Sequence, residues 1–142
     1  GPALAQFERA GLLAPDWWVP LNSLAWILAA HPDPARRRPA AAISAAARAV
    51  ELSGSRDPSA LDTLATAYAA GGRFDEALST GKQALALAQA DGAEPLAQGI
   101  REHLRSFAAG QIVVDGTLGT EPGLGPPVPA PGPANAAQQD GP

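Results

Sequence analysis

The stretch PSALDTLATAYAAGGRFDEALSTGKQALALAQAD, from Pro58 to Asp91, predicts two helices joined by a tight turn. The first helix is expected from Pro58 to Ala70, because apolar residues recur there at three- and four-residue spacing. Asp57 precedes it as the expected N-cap, and a proline at the first helical position suits a helix start. Gly71 and Gly72 predict its end, since glycine readily adopts the left-handed conformation. The residues that share its apolar face are Leu61, Leu64, Ala65 and Tyr68.

The second helix is predicted from Arg73 to about Asp91 and carries a stripe of small residues. Ala77, Gly81 and Ala84 share one face, so another helix backbone can approach closely there. The full apolar face consists of Phe74, Ala77, Leu78, Gly81, Ala84, Leu85 and Ala88. We therefore expect helices packed through alanine-lined contacts, without a core of large side chains.

This helix pair resembles a tetratricopeptide repeat, a helix-turn-helix unit of about 34 residues. Six family positions are occupied, by Leu61, Leu64-Ala65, Tyr68, Gly72, Ala77 and Ala84. The chain departs from the family at Gly81, where an aromatic residue is preferred, and at Gln89, where proline is preferred.

The pattern recurs twice upstream, which strengthens the resemblance. In VPLNSLAWILAAHPDPARRRPAAAISAAARAVELSG the first helix, predicted over Pro20 to Ala30, is expected to place Leu21, Leu24, Ala25 and Leu28 in the core, with Trp26 on the opposite face. The second helix supplies Ala42, Ile43, Ala46, Ala49 and Val50. The turn between them, from His31 to Pro39, is longer than the family norm. Residues 3–17 fit only the second helix of a further unit.

After the second unit, EPLAQGIREHLRSF predicts a final helix that resembles the capping helix of such arrays. Its apolar stripe omits His103, which we expect to be exposed. From residue 110 the chain is rich in glycine and proline and is expected to be a flexible tail. Within it, Gln111 to Val114 should lie extended along the helices, and Pro126 to Pro129 offers a Pro-x-x-Pro register that suits either a linker or a docking motif.

The resemblance implies an all-α fold, an α-solenoid of about two and a half tetratricopeptide units. Its divisions are a repeat domain over 1–109 (half repeat 3–17, repeat 18–57, repeat 58–92, capping helix 94–109) and a flexible tail over 110–142. Because the chain opens on a half repeat, we expect a piece of a longer array. A homodimer formed through the uncovered face of that half repeat is a further hypothesis.

Composition narrows the function classes. The net charge of −4 at pH 7 argues against a nucleic-acid-binding domain, and the absence of cysteine excludes disulfides and thiolate metal sites. No apolar run is long enough to predict a membrane span. Serine, histidine and carboxylates do not occur at a spacing that predicts a catalytic triad. We therefore expect no enzymatic activity, no metal and no cofactor.

The resemblance implies that the inner helices line a concave surface that binds a protein or peptide. The inner-face positions carried over from the family are Asn22, Ser23, Trp26, Asp62, Thr63 and Thr66. None of them is a lysine or arginine, so we do not expect the family's carboxylate-binding subclass. Alternatively, the chain resembles C-terminal repeats of large bacterial proteins, some of them membrane glycosyltransferases, and would be an architectural or regulatory appendage. A third hypothesis is autoinhibition, with residues 111–118 docked in the groove. We expect a soluble chain, and the sequence does not choose between bacterial cytoplasm and periplasm.

Overall fold

The computed structural model describes residues 17–118, and within this range the fold is all-α. A short 3-10 helix, Pro34–Arg36, precedes the second α-helix. The five α-helices are α1 (Trp18–Ala30), α2 (Pro39–Leu52), α3 (Pro58–Ala70), α4 (Phe74–Ala90) and α5 (Glu94–Ala108). The predicted half repeat, apart from Trp17, and the tail from residue 119, with its Pro-x-x-Pro register, lie outside the described residues.

The start of α3 is determined locally, as the sequence predicts. Asp57 Oδ1 accepts hydrogen bonds from the backbone N–H groups of Ser59 and Ala60, at 2.9 and 3.0 Å. These two donors belong to the first turn, where no intrahelical acceptor is available to them. Pro58, which follows the cap, has no N–H to leave unpaired. The helix bounds predicted from the sequence, Pro58 to Ala70, are confirmed.

Glycine ends α3 through its backbone conformation. Gly72 has φ +80°, and the chain reversal lets the Arg73 N–H donate to the Tyr68 carbonyl at 2.9 Å. This six-to-one bond satisfies a carbonyl that has no partner inside the helix. The end of α4 repeats the arrangement, with Gly92 at φ +68° and the Ala93 N–H bonded to the Ala88 carbonyl.

Helix α3 lies at the centre of the packing and contacts each of the other four helices. Helix α2 contacts α1 and α3, while α4 contacts α3 and α5. Because α1 also contacts α3, and α3 contacts α5, these three helices are neighbours on one side of the molecule. The described core consists mostly of alanine, so the helices approach closely, as the sequence predicts.

Gly81 lies at a close contact between α4 and α5. A Cβ atom placed on Gly81 would lie 2.7 Å from Leu104 Cδ2, so the Leu104 side chain of α5 occupies the space that an alanine would need. The prediction that the small-residue stripe of α4 receives another helix is confirmed.

Leu24 does not belong to the core, and this prediction is wrong. Its side chain is 46% exposed, whereas Leu21 and Ala25, its neighbours on α1, are buried. On α1, Ala25 and Ala29 belong to the buried cluster that this helix shares with α2 and α3. Leu24 therefore lies at the edge of the packed face of α1. Within residues 17–118, none of the helices is long and apolar enough to cross a membrane.

Candidate functional site

A cavity of about 370 Å³ lies between α1 and α3, and we call it the groove. Its lining residues are Asn22, Ser23, Trp26, Ile27, Ser59, Asp62 and Thr63. Five of the six residues predicted for the inner surface are among them. The sixth, Thr66, has no accessible surface, and its Oγ1 has no hydrogen-bond partner among the described residues. Thr66 is therefore a buried residue one turn along α3 from the groove, out of reach of a partner.

Two lining residues were missed by the sequence reading. Ile27 follows Ser23 by four residues, and Ser59 precedes Asp62 by three, so both lie on helical faces that were already assigned. Helical spacing applied one turn further along each helix would have found them. Ile27 is 37% exposed and provides an apolar patch beside the polar groups of the groove.

Asp62 pairs with His103 of α5. The distance from His103 Nδ1 to Asp62 Oδ1 is 2.8 Å, and the Asp62 residue is only 8% exposed. The imidazole also contacts two aromatic rings, with centroid distances of 5.8 Å to Trp26 and 6.4 Å to Phe107. The prediction that His103 is exposed is wrong, because the packing of α5 beside α3 brings this side of the helix onto Asp62.

This environment raises the pKa of His103 above its ordinary value. Burial of the ring opposes protonation, but the hydrogen bond with Asp62 and the negative charges of Asp62 and Glu102 favour the charged form. The pair thus joins α3 to α5 by a contact that strengthens when the imidazole is protonated.

Residues 111–118 leave α5 and run across the inner helices, and we call them the docked segment. Val113 packs against the buried cluster that contains Ala65, Ala69 and Phe107. The Asp115 N–H donates to the carbonyl of Ala30 at 2.8 Å, at the end of α1. The expectation that Gln111 to Val114 lies along the helices is confirmed. The contact continues to Asp115 and ends in a turn over residues 116–118, where the sequence predicts a flexible tail.

The carboxylate of Asp115 accepts the side-chain hydrogen bonds of the docked segment. Trp26 Nε1–H donates to Asp115 Oδ2 at 2.8 Å, while the N–H and hydroxyl of Thr117 donate to Oδ1 at 3.0 and 2.6 Å. Partial burial opposes ionisation of the carboxyl group, but the bonds from Thr117 and Trp26 outweigh it and hold the pKa of Asp115 below its ordinary value. Trp26 therefore belongs both to the groove and to the contact with the docked segment.

Asn22 Oδ1 is a buried acceptor for which the described residues supply no donor. A buried carbonyl-type oxygen without a donor costs free energy. Because this atom has no accessible surface, the Asn22 side chain would have to turn before a ligand N–H could reach it. A second cavity of about 580 Å³ lies near α2 and α4, lined by residues that include Val50, Leu61, Leu64 and Leu87. None of its lining residues carries a buried polar side-chain atom that lacks a partner in the described part of the chain.

Comparison of the chain with protein-family models, curated proteins and solved structures found no match. Assignment to the tetratricopeptide family therefore stays a proposal, supported by the residues and helix contacts described above. Residues 17–118 contain no group of three histidine, cysteine, aspartate or glutamate side chains arranged to hold a metal ion.

Proposed function

We propose that the chain is a non-catalytic protein-interaction module in which the groove binds an extended segment of a partner polypeptide. The observation that carries this proposal is the convergence of five predicted inner-surface residues around one cavity between α1 and α3. These side chains come from two different helices, and even the nearest pair in the chain, Trp26 and Asp62, is separated by 36 positions. Helix packing brings them together, which is what a binding surface built from repeats requires.

Tetratricopeptide-like architecture is the second part of the proposal. Helices α1 and α2, and then α3 and α4, are successive pairs of helices in contact, and α5 follows at the position expected of a capping helix. The contacts between α1 and α3, and between α3 and α5, support a layer of inner helices. The longer first unit is explained by the 3-10 helix at Pro34–Arg36, where Asp33 Oδ1 accepts from the Ala35 N–H.

The chemistry of the groove favours a polypeptide as ligand. Ser23 is exposed and its hydroxyl can donate or accept a hydrogen bond, and the exposed Ile27 offers apolar contact to a side chain. An extended chain presents both kinds of group at regular intervals. Among residues 17–118, no lysine or arginine lines the groove, which supports the expectation that a terminal carboxylate is not the feature recognised.

The pair formed by His103 and Asp62 is assigned a structural role in this proposal. A histidine oriented by a carboxylate is also part of many catalytic sites, where its second nitrogen serves a nucleophile. Here the His103 side chain is 22% exposed and contacts Trp26 and Phe107, and within residues 17–118 its one hydrogen bond is with Asp62. The pair therefore holds α3 and α5 together beneath the groove.

An architectural or regulatory appendage of a larger enzyme, such as a membrane glycosyltransferase, is the alternative function. The observation that favours its regulatory form is the docked segment, which shares Trp26 with the groove. The expected homodimer through residues 3–17 concerns a part of the chain outside the described residues, and it stays a prediction.

A peptide-display library of random 12-residue sequences, selected against the intact chain, tests the proposed function. Enriched peptides should lose at least about tenfold in affinity in Ser23→Arg and in Ile27→Glu, because both changes place charge at exposed positions of the groove. Ser79→Arg is the matched control, since Ser79 is exposed on α4 away from the groove. Recovery of no peptide, or equal binding by Ser23→Arg and Ser79→Arg, would contradict the proposal.

A further inference from the structure

We propose that residues 111–118 are a tethered internal ligand of the inner surface, and that the partner is an extended peptide with a branched aliphatic residue two positions before an aspartate. This inference rests on the proposed function, because it specifies what the same surface recognises. It is drawn from the docked segment itself, which shows the chemistry that the inner helices accept.

The contrast between Val113 and Val114 defines the first part of the motif. Val113 packs into the cluster formed by Ala65, Ala69, Ala77 and Phe107, whereas the next residue, Val114, is 48% exposed. In an extended chain successive side chains point to opposite sides. The position before the aspartate is therefore open to many residue types, while the position two before it meets an apolar site that suits a branched aliphatic side chain.

The hydrogen bonds of Asp115 define the second part. Three donors converge on its carboxylate: Trp26 Nε1–H on one oxygen, and the N–H and hydroxyl of Thr117 on the other. A carboxylate accepts hydrogen bonds at both oxygens. An asparagine has an NH2 group in place of one oxygen, and this group would face an N–H group with which it cannot form a hydrogen bond. The Asp115 N–H also satisfies the carbonyl of Ala30, one of the carbonyls that the end of α1 leaves without an intrahelical donor. The inner helices thus select aspartate through the Trp26 bond, since the two Thr117 donors belong to the docked segment and every residue except proline has the N–H that the Ala30 carbonyl accepts.

Competition follows from the position of Trp26. The indole lines the groove and at the same time donates to Asp115, so a partner aspartate that takes this bond must displace the docked segment. A tethered segment competes at an effective concentration in the millimolar range. If that concentration exceeds the Kd of a free peptide about tenfold, the docked segment weakens peptide binding about tenfold.

Fluorescence anisotropy with the labelled peptide QIVVDGTL, identical to residues 111–118, tests this inference on the 142-residue chain. Val113→Ser combined with Asp115→Ala should release the docked segment, and we expect this variant to bind the peptide about tenfold more tightly than the unaltered chain. Val114→Ser is the matched control and should bind like the unaltered chain. The peptide QIVVNGTL should bind the released variant at least about tenfold more weakly than QIVVDGTL, because a hydrogen-bonded charge is lost. Trp26→Phe in the released variant should have a similar effect.

Four results would overturn the inference. The first is that the released variant fails to bind QIVVDGTL while its circular dichroism remains helical. The second and third are equal affinity of the released and unaltered chains for this peptide, and equal affinity of the released variant for the two peptides. The fourth is a concentration-dependent dimer that Asp115→Ala abolishes, because the segment would then be docked on a second copy of the chain. If the display library instead yields groove-dependent peptides without the aliphatic-x-aspartate pattern, this inference fails while the proposed function stands. If the library yields no peptide, the proposed function fails as well. Should the double variant unfold, Asp115→Asn alone gives the same comparison, with a gain in peptide affinity expected and its absence contradicting the inference.

Discussion

Replacing Gly81 with leucine should destabilise the chain, although glycine is normally the poorer residue within a helix. A Cβ at position 81 would already lie 2.7 Å from Leu104 Cδ2 and 3.8 Å from Ala65 Cβ. The flexible Leu104 side chain can yield to a single methyl group, but a whole leucine side chain also needs space that the packing of α4 on α5 and α3 does not leave. Overpacking a core costs about 1–3 kcal/mol, and we expect the upper end for four added carbons. The gain in helix propensity, about 0.8 kcal/mol, offsets part of this. The expected net loss is about 2 kcal/mol.

Gly99→Leu is the matched control on α5. No atom lies within 4 Å of a Cβ placed there, so only the propensity gain of about 0.8 kcal/mol remains and the chain should become slightly more stable. Urea unfolding followed by circular dichroism measures both variants. Leu104→Ala combined with Gly81→Leu should recover part of the loss, since it vacates the contested space. If Gly81→Leu were as stable as Gly99→Leu, the close contact between α4 and α5 would be refuted.

Two further changes have expected outcomes. Asp57→Ala should lower the free energy of unfolding by about 1 kcal/mol, because two first-turn N–H groups of α3 lose their acceptor, and no loss in urea unfolding would contradict the capping role. For His103, whose pKa is raised on folding, the stabilisation is fully present below the unfolded pKa of about 6.5 and is lost as pH rises through the folded pKa. The free energy of unfolding should therefore increase as the pH falls from above the folded pKa of His103 to below its unfolded pKa in the unaltered chain, and this increase should be smaller in His103→Gln. If the unaltered chain and His103→Gln showed the same pH dependence of stability, the pair formed by His103 and Asp62 could not be its cause.

The elements that sequence predicts correctly depend on neighbours in the chain. The start of α3 follows from Asp57 and Pro58, whose effects act within one turn, and its end follows from Gly72. The close contact at Gly81 was also predictable, because a stripe of small side chains on one face of a helix leaves space for a neighbouring helix.

The errors concern which helix face meets which neighbour. Helical spacing groups Leu24 with Leu28, but it does not give the rotation of α1 on α2 and α3, and a small rotation leaves Leu24 exposed at the edge. His103 lies off the apolar stripe of α5, and its partner Asp62 is 41 residues away in the chain. No local pattern encodes such a pair, and the same holds for the bond between Trp26 and Asp115, which joins residues 89 apart.

The central claim is that α1, α3 and α5 present one surface that holds an extended segment of polypeptide. Nuclear magnetic resonance of the indole N–H groups tests it most directly, since Trp26→Phe identifies the Trp26 signal among the three tryptophans of the chain. We predict that this signal exchanges slowly with solvent, shows nuclear Overhauser effects to residues of the docked segment, and shifts in Asp115→Asn. Fast exchange of the Trp26 indole together with random-coil amide shifts across residues 111–118 would contradict the claim.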